Sequence, residues 1–187
     1  MIFEFDQNWH QNQVPYLTHH LLPLFKDKKD IRALEIGSFE GRSTAWWLDN
    51  LPIKEMVCVD TWEGTEEDFK TIPVDFPKVF ENFKSNVGDR VKWIKESSHT
   101  AIPKLEGEFD FIYVDGSHMA KDVLLDGLLC DRVLAKGGLI LFDDYMWEVN
   151  KRPEFARPEV GINAFYDVNF HLYEMMYKAY QICFRKM

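Results

Sequence analysis

A chain of 187 residues with 22 Lys and Arg against 31 Asp and Glu suits one domain with a substantial core, and its formal charge of −9 excludes binding to nucleic acid or an anionic membrane through a broadly basic surface. Aromatic residues make up 15%, which excludes a disordered chain and implies bulky core and pocket walls. No apolar run approaches the ~20 residues of a membrane span, residues 1–6 lack a basic stretch leading into an apolar one, and Cys58, Cys130 and Cys183 stand singly among apolar neighbours, so the expectation is a cytoplasmic protein with buried, reduced thiols and no zinc site.

Residues 1–30 read as a helical N-terminal arm. Val14, Leu17, Leu21, Leu24 and Phe25 repeat at helical spacing, Pro15 suits a first turn, and Pro23 ends or kinks the helix. His19 and His20 are adjacent, point in different directions and read as surface residues. Trp9 and the Gln/Asn-rich stretch 7–13 form either an arm over a ligand site or a frayed end. The chain is then organised around Arg32-Ala33-Leu34-Glu35-Ile36-Gly37-Ser38-Phe39-Glu40-Gly41-Arg42-Ser43-Thr44, an apolar run too short for a helix, a glycine turn, and a helix start. Gly37 and Gly41 permit close backbone approach, and the helix after them aims unpaired N–H groups at the same place.

Met56-Val57-Cys58-Val59 is a second strand ending in Asp60, about 20 residues past the turn, where a nucleotide-binding βαβ unit carries a ribose-binding acid. Residues 61–74 read as a loop able to fold over a ligand. Phe76, Val79, Phe80, Phe83 and Val87 mark a helix with Pro77 in its first turn and Gly88 after its end. A third strand over 91–94 precedes Ser97 and Ser98, which either meet a base edge or, for Ser98, cap a helix over 100–105. Residues 109–114 form a fourth strand running into Asp115-Gly116-Ser117-His118. Val123, Leu124, Leu128 and Val133 mark a helix stopped by Gly137-Gly138, and 139–142 form a fifth strand ending in Asp143-Asp144-Tyr145. Alternating strands and helices make this sheet parallel and bring Gly37, Asp60, Asp115 and Asp143-Asp144 to one edge. Residues 145–161 read as an exposed excursion that selects the substrate or serves a dimer contact, 162–168 as a short helix, and 172–177 with 181–185 as a closing antiparallel pair.

Together, Glu35-Ile36-Gly37-Ser38-Phe39-Glu40-Gly41, Asp60, Asp115-Gly116-Ser117-His118 and Gly137-Gly138 through Asp143-Asp144-Tyr145 resemble class I S-adenosylmethionine-dependent methyltransferases, more narrowly small-molecule O-methyltransferases of the macrocin type. The resemblance spans residues 32–145. It implies a single domain over 1–187 with a Rossmann-like, doubly wound α/β/α fold: a mixed seven-stranded sheet whose last strand is antiparallel, with 145–161 as substrate lid. It places Gly37, Ser38 and Gly41 under the methionine part of S-adenosylmethionine, Glu35 near its amino group, Asp60 on the ribose, Ser97 or Ser98 by the adenine, and Asp115 in the cofactor cleft. It implies further that Asp115, Asp143 and Asp144 bind a divalent cation, for which three carboxylates suit Mg²⁺ better than zinc, or else line the cleft. His118 stands where catechol-type relatives carry a lysine. An imidazole, with an ordinary pKa of about 6.5, or Asp115 would take the proton from a small-molecule acceptor, or His118 is a helix N-terminal hydrogen-bonding group.

Two other readings stay open from the residues. One is a noncatalytic cofactor-binding module or partner subunit of the same fold. The other is a nicotinamide-dependent oxidoreductase, against which stands the absence of G-x-G-x-x-G, with Phe39 where a glycine would admit the pyrophosphate.

Overall fold

The computed structural model describes residues 8–64, 74–149 and 151–187. Seven strands, β1 (Ile31–Ile36), β2 (Ile53–Asp60), β3 (Lys92–Lys95), β4 (Phe109–Val114), β5 (Leu134–Phe142), β6 (Tyr173–Lys178) and β7 (Ile182–Lys186), form one sheet in the order β3-β2-β1-β4-β5-β7-β6. The first five are mutually parallel, β7 is antiparallel to β5, and β6 is antiparallel to β7. This is the doubly wound mixed sheet with an antiparallel last strand that the family resemblance implies, and its parallel part is the one expected from the alternation of apolar runs.

Side chains alternate across each strand, so the sheet carries a core on both faces. Leu34 and Ile36 of β1 point into a layer with Val123 and Cys130 of α5 (Ala120–Val133) and with Ile162 and Phe165 of α6 (Pro158–Asn169). Ala33 points into the opposite layer, which holds Trp47 of α2 (Arg42–Asn50), Val79, Phe83 and Val87 of α3 (Phe76–Val87), and Leu17, Leu21 and Phe25 of the N-terminal arm. Each fully buried Val, Leu, Ile, Phe or Met in these layers contributes ~1.5–3 kcal/mol of transfer free energy. Cys58, Cys130 and Cys183 are free, buried thiols. No helix among the described residues is long and apolar enough to cross a membrane.

Several boundaries differ from the sequence reading. The arm is not one regular helix: 3-10 turns at Trp9–Asn12 and Leu22–Phe25 flank α1 (Val14–Tyr16) and a π-type turn at Leu17–Leu21, and Pro23, lacking an N–H, lies in the final 3-10 turn. α4 (Ser98–Ala101) runs into a 3-10 turn at Ile102–Lys104, and its N-cap is Ser97, not Ser98. α5 ends at Val133, before the glycine pair, and Gly137-Gly138 lie within β5, where the β4–β5 register shifts. α6 starts at Pro158, so the excursion is shorter than 145–161. Of the loop expected over 61–74, residues 65–73 lie outside the described residues. α3 matches its signals: Asp75 caps it by accepting from the Lys78 N–H at 3.2 Å, Pro77 is in the first turn, and Gly88 follows its end.

Candidate active site

The parallel ladder continues past the strand ends and sets the site. The Gly37 N–H donates to the Val59 carbonyl at 2.9 Å, the Asp115 N–H to Ile36 at 2.8 Å, and the Asp143 N–H to Val114 at 2.9 Å. Asp60, Gly37, Asp115 and Asp143 therefore follow one another along one edge, at the carboxyl ends of β2, β1, β4 and β5, where open α/β sheets bind ligands. Gly37 has φ +82°, and a Cβ there would lie 2.0 Å from the Asp115 carbonyl oxygen, so only glycine lets the turn after β1 seat against the turn after β4.

The glycine turn is braced from below and from the side. Glu35 is fully buried; Oε2 accepts from Ser38 Oγ at 2.8 Å and from Thr44, and Oε1 from Ser43 Oγ at 2.7 Å. Burial pushes its carboxyl above the ordinary range, and these hydroxyls pull it back. Glu35, expected beside a ligand amino group, thus lies under the turn with both oxygens engaged. Asp60 Oδ2 accepts from the Ser38 and Phe39 N–H groups at 2.8 and 2.9 Å, and Oδ1 from the Trp62 N–H at 2.7 Å. The Trp62 indole donates to the Phe39 carbonyl at 2.8 Å, and Phe39 and Trp62 both adopt positive φ. Asn82 donates to Glu40 Oε1 at 2.8 Å and Asn86 to the Glu40 carbonyl at 2.9 Å, fastening α3 to the same turn.

At the ends of β4 and β5 the acidic groups engage one another. The Tyr113 hydroxyl lies 3.1 Å from Asp115 Oδ2 and bonds Asp143 Oδ2. Burial and the neighbouring Asp144 charge push the Asp143 carboxyl up to about 7, and burial with the Asp143 charge raises Asp115. His118 Nε2 is 2.8 Å from Asp144 Oδ2, and Asp144 has φ +56°. The His118 ring lies 4.2 Å from Trp147, over which the Arg152 guanidinium sits at 3.8 Å, held by Glu148 at 2.9 Å. Ser97 is exposed at the head of α4, while Ser98 Oγ donates at 2.6 Å to the buried Asp126, with His99 Nε2 3.5 Å from the same oxygen. The Ser98 hydroxyl proton is thus committed to Asp126, which leaves its oxygen an acceptor.

A family profile described as a methyltransferase domain matches residues 34–145, from β1 through the residue after Asp144. The chain belongs to the methyltransferase-domain family. Among curated proteins, this methyltransferase domain is 32% identical over 149 residues to the uncharacterized protein R132 of Acanthamoeba polyphaga mimivirus, covering 74% of this chain and 63% of that protein. It is 26% identical over 113 residues to O-methyltransferase hkm8 of Aspergillus hancockii, covering 60% of this chain and 42% of hkm8. The chain thus spans less than two-thirds of the length of these curated relatives. An O-methyltransferase from Bacillus cereus, solved in complex with SAH, superposes with a TM-score of 0.65 at 18% identity over 97% of this chain and 83% of that one. N-methyltransferase NodS from Bradyrhizobium japonicum WM9 superposes with a TM-score of 0.61 at 14% identity over 95% and 98%. At these identities the likeness to solved structures is one of fold.

Asp115, Asp143 and Asp144, the three carboxylates that the sequence resemblance assigns to a divalent cation, line one pocket at the ends of β4 and β5 together with His118. Among the described residues no three His, Cys, Asp or Glu side chains are arranged to hold a metal ion. The Tyr113 hydroxyl bridges Asp115 and Asp143, and Asp144 pairs with His118. Residues that sequence reasoning missed are Tyr113, Trp62, Asn82, Asn86 and Asp126. Asn82 and Asn86 did carry a signal, being polar residues four apart on the apolar face of Val79, Phe83 and Val87. Tyr113 and Trp62 carried none beyond their polar tips.

Proposed function

We propose that this methyltransferase domain transfers the methyl group of S-adenosylmethionine to an oxygen of a small-molecule acceptor, with nitrogen as the second choice of atom. The observation that carries the reading is the convergence of Gly37, Asp60, Asp115 and Asp143 on one sheet edge, with the glycine turn packed directly on the Asp115 backbone. The O-methyltransferase relative supports oxygen as the acceptor atom. The residues fit the cofactor: the Gly37-Ser38 backbone is held open by Glu35 and Asp60, and a carboxylate has about four acceptor positions, of which Asp60 uses three, leaving one for a ribose hydroxyl. In this reading Ser98, its proton given to Asp126, serves the adenine as an acceptor. When bound, the sulfonium supplies an already activated methyl group.

The protein's part is positioning and proton removal. Alignment of acceptor oxygen, methyl carbon and sulfur is worth ~7–11 kcal/mol in favourable cases. His118 is the base: its Nε2–H is held by Asp144, which puts the basic lone pair on Nδ1. Trp147 packs against the imidazole.

Calorimetric titration with SAH is expected to give saturable binding, and labelled methyl is expected to pass to an O-linked product on a phenol and sugar panel. His118→Ala should lower kcat by roughly 10²–10⁴ with SAH affinity retained, the usual range for a lost general base. Binding without transfer to any acceptor would favour the noncatalytic module, and an N-linked product would reassign the acceptor atom.

A further inference from the structure

The imidazole of His118 has little free space beside it. The pocket it shares with Asp115, Asp143, Asp144 and Pro158 has a volume of about 10 Å³, barely that of a water molecule. The Trp147 indole lies against the imidazole, with 4.2 Å between ring centroids and 40° between planes. The indole is covered in turn. The Arg152 guanidinium stands 3.8 Å from its centroid, steered by Glu148 Oε2, which accepts from Arg152 Nε at 2.9 Å. Two groups this close to one centroid would collide on the same face, so the indole lies between imidazole and guanidinium.

An acceptor oxygen reaches the imidazole only if one of these neighbours moves. The pocket is otherwise walled by Val114 at the end of β4, Val123 of α5 and Pro158 at the start of α6, all fixed in regular elements. The indole stands on a turn, closed by the Trp147 N–H donating to the Asp144 carbonyl at 3.0 Å. That turn is bracketed by two non-glycine residues at positive φ, Asp144 at +56° and Glu148 at +46°. Backbone strain of this kind persists only while the surrounding contacts hold it, and it is relieved when they part.

We infer that the Trp147 indole is a displaceable stand-in for the acceptor, and that the acceptor is a planar hydroxylated aromatic ring which takes its place between His118 and Arg152. Calling the occupant an acceptor rests on the methyl-transfer reading; the slot itself does not. The walls set the chemistry. A guanidinium held over a ring is attracted to the electron-rich π face, which a phenol-type ring offers and a saturated ring lacks. A puckered ring is also thicker than the indole that shapes the slot. A hydroxyl on the flat ring comes to lie beside the imidazole that takes its proton.

Beta-naphthol, a flat ring pair with one hydroxyl, is the probe, and beta-decalol, its saturated counterpart, is the control. Both are titrated calorimetrically into the full chain with and without saturating SAH. Trp147→Ala is expected to bind beta-naphthol at least about tenfold more tightly than wild type, because a ligand that must displace a resident group loses affinity by the fraction of molecules in which that group is out. A tryptophan that served only as a wall would give the opposite sign, since its removal takes contact area from the ligand. Adding Arg152→Gln to that variant should weaken beta-naphthol about threefold or more, the cation having left the ring face. Beta-decalol should bind at least about tenfold more weakly than beta-naphthol. Trp147 is half-buried, and a thermal melt checks that the variant keeps its fold. Weaker or unchanged beta-naphthol binding in Trp147→Ala, equal binding of the two probes, or a wild-type crystal soaked with beta-naphthol in which the indole still lies on His118 would overturn the inference. SAH binding with no beta-naphthol binding to either protein would also overturn it and leave the methyl-transfer reading standing, whereas beta-naphthol in the slot with no SAH binding would keep the slot and remove that reading.

Discussion

Asp143 and the acidic groups packed around it carry a pH signature. Burial and the Asp144 charge push the Asp143 carboxyl up to about 7 from an ordinary 3.8, so between those values the folded state keeps a proton that the unfolded state has lost. Stability therefore falls as pH rises from about 4 to about 7, and Asp126, pushed up to about 6 by burial, adds to the same window. Asp143→Asn should melt close to wild type at pH 4 and above it at pH 8 in thermal scans, each ~1 kcal/mol showing as ~2–4 °C in a chain of this size. Gly37→Ala tests the other side of the cleft. Its methyl would overlap the Asp115 carbonyl at positive φ, so a loss of more than roughly 2 kcal/mol in denaturant titration, together with loss of SAH binding, is expected. At this scale the sequence showed which residue types end each strand, since chemistry and position coincide there. It did not show what each group holds: Glu35 and Asp60 look alike in a motif, yet one is sealed under the turn and the other lies at its rim.

Among the elements, the strands and helices with clean periodicity were legible, and those containing glycine were not. β4 and α3 fall where alternation and capping place them. Gly137-Gly138 reads as a stop, yet the chain continues as β5 because that register shift needs a residue at φ +78° inside the strand. Gly161 reads as the end of a loop, yet it sits in α6, where a Cβ would lie 2.2 Å from the Ala120 carbonyl of α5. It is a contact glycine, and nothing in a local window distinguishes it from a breaker. Gly161→Val should pry α6 from α5 and lower stability by roughly 2 kcal/mol or more, with near-wild-type helix content by circular dichroism below the melt.

For the whole molecule, the strand order follows from topology that short windows cannot supply, but the parallel alternation was enough to bring four distant segments to one edge. The path of the N-terminal arm was the least legible feature, because its anchors, Leu17 and Leu21, announce only that it packs, not across what. The three cysteines sample this architecture unevenly: Cys58 and Cys183 belong to the layer under the arm and α2, and Cys130 to the layer under α5 and α6. A thiol reagent in native buffer can therefore act as a stopwatch for each half of the protein. If both halves open in one event, single-cysteine versions will be labelled at a common rate. If the arm's half breathes by itself, the probes at Cys58 and Cys183 will run ahead of Cys130, and the lag between them will time how long the catalytic edge stands open while the far side stays shut.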